Sequence, residues 1–162
     1  MIIRKAASEE MLALWGYKSV AEAPPTARFF SRNISSGNAE LWTLDNDGKL
    51  IGELYVFLDM EDKDFADGKI TAYLCAFRIK EEYRGQGLGS RLMETVLASL
   101  KSRGFSGATI GVGSSEELNI KLYHRKGFNV KIKDCFVDPC AVDEDMKPRP
   151  CPCFWLLYKR LN

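Results

Sequence analysis

From Leu88 onward the chain repeats in a helical rhythm. Leu88, Leu92, Met93, Val96, Leu97 and Leu100 are apolar, at spacings of four, five, eight, nine and twelve from the first. They fall on one stripe of a helix of about four turns, and Gly104 follows as its stop signal. On either side the rhythm changes. "KITAYLCAFRI" (69–79) and "ATIGV" (108–112) are short runs rich in β-formers. A strand, a helix and another strand imply a parallel pair joined by a right-handed crossover. Earlier, "AELWTLDNDGKLIGELYVFLD" (39–59) holds two strands around Asp47-Gly48, a strong hairpin signal. "MIIRKA" predicts a first strand. "SEEMLALWGY" predicts a helix that opens on Ser8 and two glutamates, and "TARFFSRNISSG" a second short helix after Pro24-Pro25. A further helix is expected through "EELNIKLYHRK" (116–126), stopping at Gly127 with Phe128 packed back over its last turn. "NVKIKDCFV" (129–137) and "CFWLLYKRL" (153–161) predict the last two strands, with a loop heavy in proline, cysteine and acids between them. The order implies an α/β (α+β) fold. A mixed sheet of six to seven strands is flanked by four helices around a parallel β-α-β core. With no repeat and no linker, residues 1–162 read as one domain.

Composition adds bounds. Apolar residues make up 46% and charged residues 28% of 162, enough for a packed core. No apolar run approaches the roughly 20 residues of a membrane span, and the first twenty residues lack the layout of a signal peptide. A cytoplasmic protein with no membrane partner is expected, its five cysteines free thiols. Net charge is +1, which gives no support to a nucleic-acid partner. The charge is unevenly spread. Segments 59–67 and 134–147 each hold five acids and one base, leaving 12 acids against 21 bases elsewhere. Two readings stay open: solvated acidic loops, or a basic body that holds an anionic ligand with acidic loops facing a cationic one.

The candidate chemistry starts at the mouth of the helix. In "EEYRGQGLGSRL" (81–92) Gly85, Gly87 and Gly89 alternate directly before the apolar stripe. A helix N-terminus carries about four unpaired N–H groups and a partial positive charge, and glycines let a bulky anion approach them. The stretch therefore looks built for phosphate. It is not a Walker loop, because Ser90-Arg91 stands where Lys-Ser/Thr is required. Nor is it a Rossmann turn, because the glycines run G-x-G-x-G and follow "KEEY" rather than a strand.

Arg84-Gly85-Gln86-Gly87-Leu88-Gly89 resembles the R/Q-x-x-G-x-G/A signature of the GCN5-related N-acetyltransferase (GNAT) superfamily. "FRIKEEYRG" resembles its strand-and-turn approach. "LYHRKGF" (122–128) resembles its L-Y-x-x-x-G-F segment, with Tyr123 34 residues after Gly89. The resemblance is sharp over residues 70–128 and architectural elsewhere. It implies acetyl-CoA as co-substrate and no metal. The backbone from Gly85 through Gln86, Gly87 and Gly89 to Ser90 would surround the pyrophosphate, with Arg84 as charge partner. Phe77 and Ile79 would pair with the pantetheine amides, and an N–H near Phe77 would stabilise the oxyanion. Tyr123 would protonate the departing thiolate. Asn119, four residues earlier on the same helical face, would reach the same ligand.

The base is less plain. A primary amine has pKa ~10.4, so presenting it neutral at pH 7 costs about 4–5 kcal/mol. Many family members place a carboxylate on the strand before the glycines, and "ITAYLCAFRI" has none. Glu53, in "IGELYVF", acting through water, is the substitute, and an Asp within 134–147 the next candidate. His124, the lone histidine, follows Tyr123 directly and so points about 100° away, to the surface. Cys135, Cys140, Cys151 and Cys153 are spaced unlike the paired C-x2-C of zinc ribbons. The implied activity is acetyl transfer to a small-molecule or peptide amine. The alternative is a non-catalytic CoA-binding regulatory module. The family's acceptor cleft is framed by the early helices and the connection between the last two strands, so the second acidic segment would favour a cationic, polyamine-like or lysine-bearing acceptor. A monomer or homodimer fits either reading.

Overall fold

Asp47 and Gly48 both take positive φ, 54° and 93°, the paired left-handed conformation that matches a two-residue turn to strand twist. They join β2 (Ala39–Asn46) to β3 (Lys49–Phe57) in the computed structural model, which describes residues 1–162. The chain begins with β1 (Ile2–Ala6), α1 (Ser8–Leu14) and α2 (Pro25–Ser35), ahead of that hairpin. It continues through β4 (Thr71–Ile79), α3 (Leu88–Ser102), β5 (Gly107–Gly113), α4 (Glu117–Arg125), β6 (Val130–Val142) and β7 (Pro148–Arg160). The seven strands form one mixed sheet in the order β1-β2-β3-β4-β5-β7-β6. The pair β4–β5, joined by α3, is parallel and every other pair is antiparallel. The expected mixed sheet, four helices and parallel core are all present. No helix is long and apolar enough to cross a membrane.

The sheet separates two cores. On one face the predicted stripe of α3 is buried along its whole length against Leu54, Val56 and Leu74 of the sheet. Burying each large side chain of that stripe contributes about 1.5–3 kcal/mol. Alpha-4 closes the same face. Its last turn ends at Gly127, after which the Phe128 N–H donates to the Tyr123 carbonyl at 2.9 Å and the Phe128 ring is fully buried. On the other face α1 and α2 pack Met11 and Phe30 against Leu41, Tyr55 and Phe57, and Cys135 and Cys140 of β6 complete that layer.

The C-terminal hairpin departs from the sequence expectation. The segment between the last strands is itself strand: β6 and β7 run 13 residues each, and only residues 143–147 turn between them. Prolines argue against strand there, since proline donates nothing to a ladder. The ladder accommodates them by slipping. Its register shifts between Cys135 and Val137 and again between Asp138 and Val142, opposite Pro148 and Pro150, and Pro148 is the first residue of its strand. The long hairpin carries Asp138, Cys140 and Ala141 over the face that α1 and α2 occupy, beside the end of β4.

Candidate active site

The glycine turn presents a row of free donors. The backbone N–H groups of Gly85, Gln86, Gly87, Leu88, Gly89 and Ser90 donate to no protein acceptor; the first contact of α3 is Arg91 N–H to Gly87 O at 3.1 Å. Gly85 and Gly87 adopt left-handed φ of 78° and 75°, and a Cβ on either would meet nothing within 4 Å. Their backbone is therefore bare and open, at the positive end of a 15-residue helix. Gly89 has a different reason. A Cβ there would lie 3.0 Å from Phe77 Cζ, so this glycine lets α3 close on β4. Arg84 is exposed and its Nε donates to the Ile79 carbonyl at 2.9 Å, which ties the turn to the end of β4. Gln86 is exposed, and Ser90 sits with Phe77, Gly89 and Met93 around a small cavity of about 70 Å3.

That strand end is built as half of a fork. Beta-4 and β5 pair from Thr71/Gly107 to Leu74/Ile110, and then β5 continues with β7 alone. The cause is visible in β4. Ala76 takes φ 50°, and the register with β3 slips between Glu53 and Tyr55, leaving an extra residue in β4. Such a bulge bends a strand and re-aims the residues beyond it. After it Arg78 pairs with Glu53, and the Lys80 N–H reaches Ile51 O at 2.9 Å. Alternation along an antiparallel ladder then turns the N–H and C=O groups of Phe77 and Ile79 away from β3, into the fork. Nothing in the sequence marks Ala76, because a left-handed alanine has no compositional signature.

Alpha-4 carries Tyr123 and Asn119, and it is Leu122 and Lys126 of this segment that meet Phe77, Gly89 and Ser90 at the small cavity. Tyr123 is 9% exposed, packs its ring 6.3 Å from that of Phe128, and its hydroxyl has no protein partner. Burial, with the charge of Glu116 adding to it, pushes the phenol above its ordinary value, so it stays a proton donor at neutral pH. Asn119 is exposed one turn earlier, beside Ser115 and Glu116. His124 is exposed, as expected.

On the opposite face lie two cavities divided by Trp15 and Arg78, which line both. The smaller, about 430 Å3, contains Glu53 and Arg84. Glu53 Oε1 accepts from Trp15 Nε1 at 2.9 Å, Tyr55 OH at 2.9 Å and Arg78 Nη2 at 3.2 Å; Oε2 has no protein donor. Burial and the adjacent Glu53 drive the Tyr55 phenol far up, which keeps it a donor. The larger cleft, about 530 Å3, runs from the β4 bulge to β6. Trp15, Phe30, Tyr73 and Phe154 supply its rings and Asp138 its one carboxylate. Glu53 does not line it. Asp138 falls within the 134–147 candidates, but its neighbours Tyr73 and Trp15 carried no signal in the sequence. Asp143, Glu144 and Asp145 are exposed on the hairpin tip and do not line this cleft. Near them, segment 59–67 lines a third hollow of about 610 Å3 with Val142 and Met146. No group of three or more His, Cys, Asp or Glu side chains is placed to hold a metal ion.

A helix mouth with undonated N–H groups thus lies beside a forked parallel pair, and comparison with known proteins gives this arrangement a family. The acetyltransferase (GNAT) family matches residues 4–128, and the chain belongs to that family. N-acetyltransferase 8 of Rattus norvegicus is 24% identical over 105 residues, 65% of this chain but 46% of its own length, so the match spans less than half of that relative. The ribosomal-protein-S18-alanine N-acetyltransferase of Escherichia coli superposes with a TM-score of 0.70 at 18% identity, over 99% of this chain and 94% of that one. A GNAT family acetyltransferase of Elizabethkingia anophelis, solved with acetyl-CoA bound, gives 0.63 at 18%, over 98% and 97%. At those identities the structures share the fold.

Proposed function

We propose that the chain is an acetyl-CoA-dependent N-acetyltransferase that moves an acetyl group to a primary amine by direct attack within a ternary complex. The observation that carries this reading is the run of undonated N–H groups from Gly85 to Ser90 at the mouth of α3, opening beside the β4–β5 fork. A pyrophosphate needs clustered donors and positive potential, and this turn has both. Gly85, Gln86, Gly87, Gly89 and Ser90 would hold it with Arg84 nearby. Phe77 and Ile79 would add the pantetheine arm as a strand, and Asn119 would approach from α4. The bound thioester supplies an activated acyl group. The Phe77 N–H, turned into the fork, would stabilise negative charge on the acyl oxygen.

The protons balance across two residues. The acceptor arrives as an ammonium and sheds one proton before attack and another as the amide forms. Glu53 accepts through water at its free Oε2, since Oε1 already holds three donors. Tyr123 gives its proton to the departing sulfur as the C–S bond breaks and is recharged by the second amine proton, so that one proton, taken up at Glu53, passes to solvent. The acceptor is a small-molecule or peptide amine.

A second reading, a CoA-binding regulatory module without turnover, is favoured by one observation: β4 carries no carboxylate. Free-thiol release from acetyl-CoA with a panel of primary amines, with mass-spectrometric detection of the acetylated amine, separates them. Amine-dependent release supports the enzyme. Tight CoA binding with no release by any amine supports the module.

A further inference from the structure

The larger cleft has the character of a selective amine site. Nine of its fourteen lining residues are hydrophobic, and its volume of about 530 Å3 lies in the usual range for a small organic ligand. Its rings are held in place by neighbours: Trp15 and Phe30 pack at 5.1 Å, Phe30 and Tyr55 at 5.0 Å. Into this apolar space opens one acid. Asp138 Oδ1 accepts the Cys140 N–H at 2.9 Å, and Oδ2 accepts nothing from the protein. No cationic side chain lies within 4.0 Å of it. Its cross-strand neighbour Arg149 is exposed and forms no ion pair with it. The one cation in the lining, Arg78, is already paired with Glu53 and sits over the Trp15 ring. Asp138 is thus a half-buried carboxylate facing a ring-lined cavity, with one oxygen unpaired and no cation within 4.0 Å, so a ligand ammonium has a place to bind.

A second polar group meets the same space. Tyr73 is 4% exposed and its hydroxyl has no hydrogen-bond partner, yet that oxygen is not sealed off. It lies over Gly111, where a Cβ would come within 3.3 Å of it. Gly111 belongs to β5 just beyond the last β4–β5 pair, so the Tyr73 hydroxyl stands at the root of the fork. The cleft therefore offers a carboxylate at one wall, aromatic faces around it and a phenol at the point where the fork opens.

We infer that this cleft is the acceptor site and that its ligand is a primary amine on a compact, ring-bearing apolar body, with Asp138 binding the ammonium and Trp15, Phe30, Tyr73 and Phe154 holding the body. The inference rests on the N-acetyltransferase reading for the fate of the amine, but not for its binding. It also replaces the polyamine expectation. A polyamine carries several charges spaced along a chain, whereas this cleft carries one acid among apolar walls, and Asp143, Glu144 and Asp145 lie outside it. Asp138 recognises the ammonium of the incoming amine, and desolvation by the surrounding rings strengthens that contact.

The test uses three probes on the full chain: 2-phenylethylamine, its neutral isostere 2-phenylethanol, and spermidine. Calorimetry or ligand-observed NMR reads binding without requiring turnover, in the presence of CoA. The wild type is expected to bind 2-phenylethylamine at least tenfold more tightly than the alcohol or spermidine. Asp138→Asn keeps an oxygen for the Cys140 N–H and removes only the charge. It should weaken 2-phenylethylamine about tenfold, leave the alcohol within twofold and leave CoA affinity unchanged. In turnover the same variant should raise KM for the amine far more than it lowers kcat, and Asp138→Glu should recover part of the loss. Equal wild-type affinity for amine and alcohol overturns the inference, as does preference for spermidine or a preference that survives Asp138→Asn. If Asp138→Asn melts well below the wild type, the wild-type comparison of amine with alcohol decides alone. Intact amine selectivity with no acetyl transfer would defeat the enzymatic reading and leave this one standing.

Discussion

Replacing Gly87 by Asp and by Asn isolates the anion cradle. Both residues tolerate the left-handed backbone better than other side chains, so the φ of 75° at Gly87 affects the two variants alike. A Cβ at this position meets nothing within 4 Å, so neither side chain forces a repacking. They differ in one unit of charge at the rim of the undonated N–H groups. For a carboxylate about 5 Å from a phosphate charge, an effective dielectric of 80 to 20 gives about 0.8–3.3 kcal/mol of repulsion. The two charges of a pyrophosphate double this, so CoA affinity should differ at least tenfold between the variants. Because the turn is exposed, the gap should narrow as salt rises. Calorimetric titration of CoA into both variants, with thermal melts to confirm folding, reads the difference. A Gly87→Asp affinity within threefold of Gly87→Asn at low salt would refute the cradle. Gly89 is unsuited to this experiment, since any side chain there presses on Phe77 before it meets a ligand.

Tyr123→Phe should reduce kcat by about 10²–10⁴ with little change in acetyl-CoA affinity; since burial raises the Tyr123 phenol, its loss of function as an acid should fall above pH 10, and an alkaline limb that vanishes in Tyr123→Phe but lies below pH 9 would contradict the assignment. Neutralising Asp143, Glu144 and Asp145 together should leave amine KM within twofold, because these exposed acids lie off the cleft; a large rise at low salt would return the acceptor to the hairpin tip. Asp67 Oδ1 accepts the N–H groups of Lys69, Ile70 and Thr71 at 2.9, 2.9 and 3.0 Å. Burial opposes the charge, and these donors outweigh it and hold the carboxyl below its ordinary value. A depressed carboxyl contributes stability above its unfolded pKa near 4 and loses it as pH falls through the folded value. Asp67→Asn should therefore cost about 1 kcal/mol at pH 7, discounted for its exposure, and progressively less as pH falls below about 4; chemical denaturation across that range reads the difference.

Much of this architecture was legible because it depends on periodicity and local turn chemistry. The α3 stripe, the Asp47-Gly48 turn and the glycines at the helix mouth are encoded within a few residues of where they act. The C-terminal hairpin was legible only in part. Its prolines argue locally for a loop, and only the slipped register between β6 and β7 shows how a strand absorbs them. The site divides in the same way. The cradle and Tyr123 sit in contiguous motifs. The fork depends on a left-handed Ala76, and the cleft depends on Tyr73 and Asp138, which come from strands separated in sequence by 65 positions and meet only through the sheet. Glu53 is recognisable in the sequence as a carboxylate on a strand of the meander, while two of the three donors on its Oε1, Trp15 just after α1 and Arg78 of β4, come from elsewhere in the chain and could not be read from its neighbours.

If the N–H groups from Gly85 to Ser90 receive the pyrophosphate while the backbone of Phe77 and Ile79 takes the pantetheine arm, CoA must leave its mark on those amides. Titrating CoA into 15N-labelled protein and following every backbone amide reads that mark. The largest shifts at saturation should fall on Gly85 to Ser90, with Phe77 and Ile79 next and with slowed hydrogen exchange at the same amides. Saturable CoA binding that leaves those amides unshifted, and moves another segment instead, would be incompatible with the assignment.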